Sequence, residues 1–451
     1  MNTRHSLIFL LAGALSACGG GSSSVAGGVG TGGTGITWGT VTGFGSIWVN
    51  GVEYDDSNAR IEAGDANGQA QDALAAIGQQ VQVTLDEQGA ATAIRITPQL
   101  IGPVAQVSGN AMRVMGQNVQ IDATQTVVAD ALKADDWARI FGHWVQTTEG
   151  PWQLQATRIE RAADGDRSAV LISGIVESWE TSSAPNTLSL ANGWTVSVQD
   201  VSALNPSEGA TLSFWIDANR WEYTDVIARH ADAHPPAFAE DDEIDLEGIP
   251  TRDQDGRLQL QGLALPPNLS IAEAQRARIK LKRVNGQWAL MGEASAAPVR
   301  STTTITGWTE APNWGETPLT SPLALNLRNT ALIVPPAVLS DSHCTQYSGP
   351  VRVSATASLG TAPLQVTAIA CEGEGAIQAQ DIADTDATIT DYDPVTGEVT
   401  MEVNGESRRM PWPATSQKPA NAAAARDQIM HVALQRNAQG QWRAVRITPK
   451  P

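Results

Sequence analysis

Apolar and polar residues alternate along most of this chain in short runs, the period that places successive side chains on opposite faces of a strand. Ile47-Trp48-Val49 and Val52-Glu53-Tyr54 flank Asn50-Gly51, and the pattern recurs at 188–198 around Asn192-Gly193, at 258–265 around Gln261-Gly262 and at 399–408 around Asn404-Gly405. Asn-Gly between alternating runs predicts a two-residue hairpin turn, because both central positions need positive φ. An opening strand with an internal glycine starts most repeats, and these glycines (Gly39, Gly102, Gly174, Gly248 and Gly307) stand about 60–75 residues apart, the spacing of an internal repeat. After each hairpin comes a helical or irregular stretch, as at 72–77, 131–141, 271–277 and 422–429, and then two closing strands. The closing strand Ala93-Ile94-Arg95-Ile96-Thr97-Pro98 returns as Ala444-Val445-Arg446-Ile447-Thr448-Pro449. A Gly-x-Trp turn precedes it at Trp152, Trp288 and Trp442.

Strand, strand, strand, helix or loop, strand, strand is an order that resembles an OB-fold-like barrel. The expected architecture is all-β, a tandem array of about six small five-stranded barrels. The repeats are placed at 36–98, 99–163, 170–232, 244–297, 303–375 and 376–451. Closing the sheet matters at this size, since a domain of about 60 residues buries only about 60% of its unfolded surface and tolerates exposed edges poorly. The fifth repeat is the most diverged, with prolines at 312, 318, 322, 335 and 336.

The N-terminus adds a location. Arg4 and His5 precede an apolar run from Ser6 to Ala14, and Leu15-Ser16-Ala17-Cys18 follows, which resembles a bacterial lipobox. The apolar run is too short to cross about 30 Å of hydrocarbon, so 1–17 reads as a cleaved lipoprotein signal. The resemblance implies lipidation of Cys18, attachment to the membrane through that lipid, and, with Gly19 next, sorting to the outer membrane of the bacterial envelope. Residues 18–35 carry the lipidated cysteine and a Gly/Ser stretch whose composition cannot bury enough apolar surface to order it, a flexible tether. With Cys18 assigned to lipid, Cys344 and Cys371 remain in an oxidising compartment, and a disulfide between them is expected in the fifth repeat. The competing reading is a metal site that adds His343.

The lipobox, Gly39-Thr40-Val41, Ile47-Trp48-Val49-Asn50-Gly51-Val52, Ile77-Gly78-Gln79-Gln80-Val81 and the Ala93–Ile96 ending together resemble bacterial envelope lipoproteins built from tandem copies of a small all-β domain of unknown function. That resemblance implies no activity and no catalytic residues.

Composition narrows the chemistry. Lys and Arg total 29 against 48 Asp and Glu, a net charge of −19, which repels the phosphate backbone and excludes nucleic acid as a partner. With 42% hydrophobic and 17% charged residues the chain is globular rather than disordered. It holds no His-Glu-x-x-His, no Gly-x-Ser-x-Gly, no Ser-x-x-Lys and no Gly-rich phosphate loop with its lysine, so no catalytic residue and no cofactor is expected. A noncatalytic binding or scaffold protein is the favoured function, its partner an envelope protein or a neutral glycan.

One alternative is metal binding at His230, Asp232 and His234, residue types that can chelate zinc, although Pro235-Pro236 and Glu240-Asp241-Asp242-Glu243 read as an acidic linker. A second is a carboxylate-based envelope hydrolase, whose mark would be a pocket gathering two carboxylates with raised pKa from different strands. Fourteen Trp against five Phe and four Tyr direct attention to exposed indoles. In OB-like barrels the ligand face lies around strands two and three, which singles out Trp48, Trp194 and the pair Arg408-Arg409. Trp152, Trp288 and Trp442 suit packing at barrel ends. Arg276, Arg278, Lys280 and Lys282 share one face of a strand, either a solvated edge or an anion groove.

Overall fold

The structure, a computed structural model, describes residues 35–449 except 147–150, 163–166, 181–184, 199–203, 205–208, 223–225, 235–239, 253–254, 268, 270, 272–274, 293, 298, 310–313, 315–320, 329, 349, 378–380, 382, 404–405, 414–425 and 437–441. Cys18 and the rest of the N-terminal signal and tether before residue 35, the Asn404-Gly405 turn, and the side chains of His234 and Trp442 lie outside the described residues.

The protein is all-β. Residues 100–161 form a closed five-stranded barrel. Leu100–Ser108 pairs with Ala111–Val114 and with Trp137–Val145, Ala111–Val114 pairs with Gln117–Gln120, and Gln153–Arg161 closes the ring, antiparallel to Trp137–Val145 and parallel to Gln117–Gln120. Numbering the strands in chain order, the ring runs 1-2-3-5-4 and back to 1.

Parts of the same order recur in other segments, but not in the fourth, where Thr251–Arg252, Leu258–Leu260 and Leu263–Ala264 form a separate three-stranded sheet with no ladder to Glu243–Gly248 among the described pairings. In the first segment the third strand is interrupted, and its second part, Arg60–Gly64, runs parallel to Ala91–Ile96. In the third segment Thr195–Val198 runs parallel to Val226–Ile227. In the fifth, Thr330–Val334 runs parallel to Leu364–Gly373, while Thr302–Thr309 and Leu323–Leu327 share no ladder among the described pairings. The last segment shows the order 3-2-1-4-5 as one five-stranded sheet.

The opening glycine and the hairpin turn are coupled, for a steric reason. The Asn50 side chain folds back over the first strand, donating from Nδ2 to the Trp38 carbonyl at 3.0 Å, and a Cβ on Gly39 would lie 1.6 Å from Asn50 Oδ1. Asn192 repeats this over Gly174, with Nδ2 2.8 Å from the Ser173 carbonyl. Each pair of landmarks is therefore a single device that locks the hairpin onto the strand it crosses.

The segments are not strung out in sequence order. The first strand, Gly35–Phe44, runs parallel to Glu243–Gly248 of the fourth segment at one end and to Thr302–Thr309 of the fifth at the other. One apolar core joins the first and fifth segments and includes Phe141 and Val127 of the second. A second core is shared by the second and third, Trp38 sits in that of the fourth, and Trp308 in that of the sixth. Arg328, on the hairpin turn of the fifth segment, reaches Asp56 of the first (3.4 Å), the Gly45 carbonyl (3.1 Å) and the Phe44 ring (5.3 Å to its centroid), and both ionic side chains are almost fully buried.

Two local expectations change. Of the stretches expected to be helical or irregular, 72–77, 131–141, 271–277 and 422–429 hold no α-helix among their described residues, and from Trp137 the second is already strand; in the fifth segment the α-helix Pro336–Asp341 does stand between the third and fourth strands, whereas in the first a tight turn at Gly78 suffices to span the gap. His230–His234 is a strand paired with Thr211–Asp217, not linker, because the backbone groups of that neighbour need a partner. Cys344 and Cys371 form a disulfide with Cα atoms 5.0 Å apart, and their separation of 27 residues corresponds to about 3.5 kcal/mol of loop-closure entropy.

Candidate functional site

Where the segments meet, polar side chains are buried together. A bulge between Phe141 and Gly142 lets Trp137–Val145 bend. Phe141 enters the core shared with the first and fifth segments, and His143, two residues on, sits among polar groups. Its ring receives the Gln80 amide, whose Nε2 lies 3.1 Å from Nδ1. The network continues away from the ring: Gln99 Nε2 donates to Gln80 Oε1 (3.2 Å), Ser173 Oγ donates to Gln99 Oε1 (2.7 Å) and Trp144 Nε1 donates to Ser173 Oγ (3.0 Å). On the other side His143 Nε2 is 4.0 Å from Glu247 Oε1. Glu247 holds Arg276 Nε at 3.0 Å and accepts the Thr40 N–H at 3.3 Å.

Burial dominates the electrostatics of this junction. It pushes the His143 pKa down to about 3, helped by the Arg276 charge, so the ring is neutral at physiological pH. Burial pushes Glu247 upward against the pull of Arg276. Tyr54, nearby in the first segment, is pushed up to about 12 by burial and then by Asp245.

Beside the network lies a cavity of about 210 Å³. Thr40, Val41 and Ile77 come to it from the first segment, His143 and Val127 from the second, Arg276 from the fourth, and Thr303 and Leu359 from the fifth, with Arg300 in the connection between those last two. His143 is also part of the wall of a smaller void of about 20 Å³, bounded by Gln99, Trp144 and Gln261 and large enough for about one water. The carboxylate in the lining of the larger cavity is Asp122. Hydrogen bonds from Thr124, first its hydroxyl and then its N–H, hold that carboxyl below its ordinary range, whereas the hydrolase reading asks for a raised pair.

The residues singled out in the sequence fall elsewhere. Arg278 and Lys282 engage carboxylates of the neighbouring strand, Arg278 on Asp245 and Lys282 on Glu243 at 3.2 Å, and Lys280 Nζ lies 3.9 Å from Asp245. The basic stripe is thus matched by an acidic one, Glu243, Asp245 and Glu247, in direct register. Arg409 binds Glu398 at 2.6 Å, and Arg408 is half-buried on the same strand. His230 Nε2 lies 3.2 Å from Asp232 Oδ1, but that same oxygen takes Arg95 at 3.0 Å, and no group of three metal-ligating side chains occurs among the described residues. Trp194, Trp152 and Trp288 pack half-buried against cores. Trp48 lies against Gly43, half-exposed and outside those cores.

His143, Glu247, Thr40 and Arg300 escape a motif search because no two of them share a short segment. One local sign does exist: Glu243-Ile244-Asp245-Leu246-Glu247 alternates as the complement of Arg276 to Lys282. No protein-family model matches the chain, and no curated protein is detectably similar to it.

Proposed function

We propose that this protein is a lipid-anchored, noncatalytic binding or scaffold protein of the bacterial cell envelope, assembled from six OB-fold-like units and held to the outer membrane through Cys18. The recurring 1-2-3-5-4 strand order supports the unit, and the lipobox supports the anchor. The observation that carries the binding role is the cavity at the junction, to which four units contribute walls, since ligand sites concentrate where domains meet. Trp48 offers a separate surface for a neutral glycan or an envelope protein.

Two measurements test this. A Cys18→Ala variant should lose acyl labelling and leave the membrane fraction; fractionation like the wild type removes the anchor. Native mass spectrometry of the full chain purified from membranes should show a bound small molecule that is absent from Val299→Trp, a substitution at an exposed residue of the cavity wall. Equal occupancy in both proteins would move the ligand away from the cavity and refute this reading of the junction.

A further inference from the structure

Resting on the reading of Trp48 as a binding surface, we propose that the outer face of the seam between the first and fifth segments binds an uncharged oligosaccharide. One sugar ring stacks on Trp48, Glu53 accepts from its hydroxyls, and the threonine rows of the fifth segment hold the rings that follow.

The seam builds one continuous row of outward positions. Trp48 stands opposite Glu53 on one side and Gly43 on the other. Gly43 pairs with Thr304 across the parallel ladder, and Thr304 pairs with Thr356. Paired residues share a face of the sheet, and the alternate positions Phe44, Ile47, Tyr54 and Ile305 lie in the core, so this row faces outward. At about 4.8 Å between strands it runs about 19 Å from Glu53 to Thr356, room for a short oligosaccharide.

Three observations along the row point to a sugar. Gly43 is buried although it presents no side chain, and the side-chain atoms nearest to where its Cβ would stand are Trp48 Cβ and Cγ, both at 3.4 Å. The indole therefore covers the glycine and turns its other side to solvent, half-exposed, with Nε1 making no hydrogen bond among the described residues. An indole held against the sheet offers a flat apolar face with a donor at its edge, which suits the C–H face of a pyranose ring. The second observation is Glu53, whose carboxylate makes no hydrogen bond or ion pair among the described residues and has both oxygens available to neighbouring hydroxyls. Third, the positions beyond the indole carry hydroxyls: Thr304 Oγ1 lies 3.3 Å from Thr356 Oγ1, Thr306 Oγ1 donates to Ser354 Oγ at 3.0 Å, and Thr302 is in register with Ser358. Each such group both donates and accepts, the same dual capacity as a sugar hydroxyl.

Charge and polarity decide between ligand classes. The Glu53 carboxylate is balanced by the Arg300 guanidinium over the adjacent Asn50-Gly51 turn, which also has no partner among the described residues, and the threonine and serine rows are uncharged. An anionic glycan would meet Glu53 at the stacking position, and a cation would meet Arg300. A protein partner calls for an apolar centre to its interface, whereas beyond Trp48 this face offers hydroxyls.

The neutral probes are cellohexaose and chitohexaose and the anionic probe is hexagalacturonate, each titrated into the full chain by calorimetry and saturation-transfer NMR. At least one neutral hexamer should bind with a Kd of about 1 mM or tighter, and hexagalacturonate about tenfold more weakly or not at all. Trp48→Ala should weaken the neutral probe about tenfold or more, and Trp48→Phe should retain part of the affinity. Glu53→Ala and Thr304→Val, both at outward positions, should weaken it several-fold without moving the thermal midpoint. Unchanged binding in Trp48→Ala, or hexagalacturonate binding as tightly as the neutral hexamers, overturns the saccharide assignment. A photo-crosslinker installed at Thr302 in cells separates the two levels of failure. If no neutral glycan binds but a crosslink forms to an envelope protein and is lost in Trp48→Ala, Trp48 remains a binding surface and the saccharide is wrong. If neither glycan nor crosslink is found, the saccharide and the binding surface fall together.

Discussion

Acidification should destabilise this protein through one buried histidine. In the unfolded chain His143 titrates near 6.5, whereas burial and then Arg276 lower it to about 3 in the native state. The native state therefore refuses a proton that the unfolded chain accepts. The stability that depends on the neutral ring is fully present above about pH 6.5 and is lost as pH falls toward 3. At pH 5, one and a half pH units below the unfolded value, the loss is about 2 kcal/mol at roughly 1.4 kcal/mol per unit. Glu247 works in the opposite sense: its raised pKa lets the folded state hold a proton more tightly, adding stability as pH falls through its folded value toward 4.5. A His143→Gln variant separates the two, because it keeps Glu247 and removes the titrating ring. Urea unfolding of both proteins at pH 7.5 and pH 5.0 should show the wild type losing about 2 kcal/mol more than the variant across that interval. Parallel losses, differing by less than about 0.5 kcal/mol, would mean that the ring takes up its proton in the folded protein and that the junction is wetter than its geometry implies.

The other predictions concern how the segments are fastened. Arg328→Ala leaves Asp56 charged and almost fully buried, which should cost about 3–5 kcal/mol; adding Asp56→Asn should recover much of this in denaturant titrations, and simple additivity of the two variants would refute the pairing. Gly39→Ala brings a Cβ to within 1.6 Å of Asn50 Oδ1 and should lower stability by at least about 2 kcal/mol through displacement of the hairpin. Combining it with Asn50→Gly should restore part of the loss, and a thermal midpoint unchanged by Gly39→Ala alone would show that the strand and its turn are not coupled.

The two levels of this protein were legible to different degrees. Period-two alternation and the Asn-Gly pairs by themselves determine the strands and hairpins, because pleating and positive-φ turns are local steric matters that a few residues settle. The recurrence of glycine before Asn-Gly was equally visible, although only the fold shows that Asn50 lies across Gly39 and ties the two landmarks into one contact. The pairing of Cys344 with Cys371 was open to simple arithmetic once Cys18 was set aside for lipid. The junction is of another kind. His143 lies in an apolar strand and reads as one more core residue; Glu247 reads as one acidic residue among many. What brings them within 4.0 Å is the choice of neighbours on the outer faces of the segments, where Gly35–Phe44 accepts the fourth segment on one side and the fifth on the other. That choice depends on the summed shape and charge of whole surfaces rather than on any local pattern. Neither the buried polar network nor the cavity beside it exists until the sheets have packed, and only then do burial and Arg276 set the charge of His143.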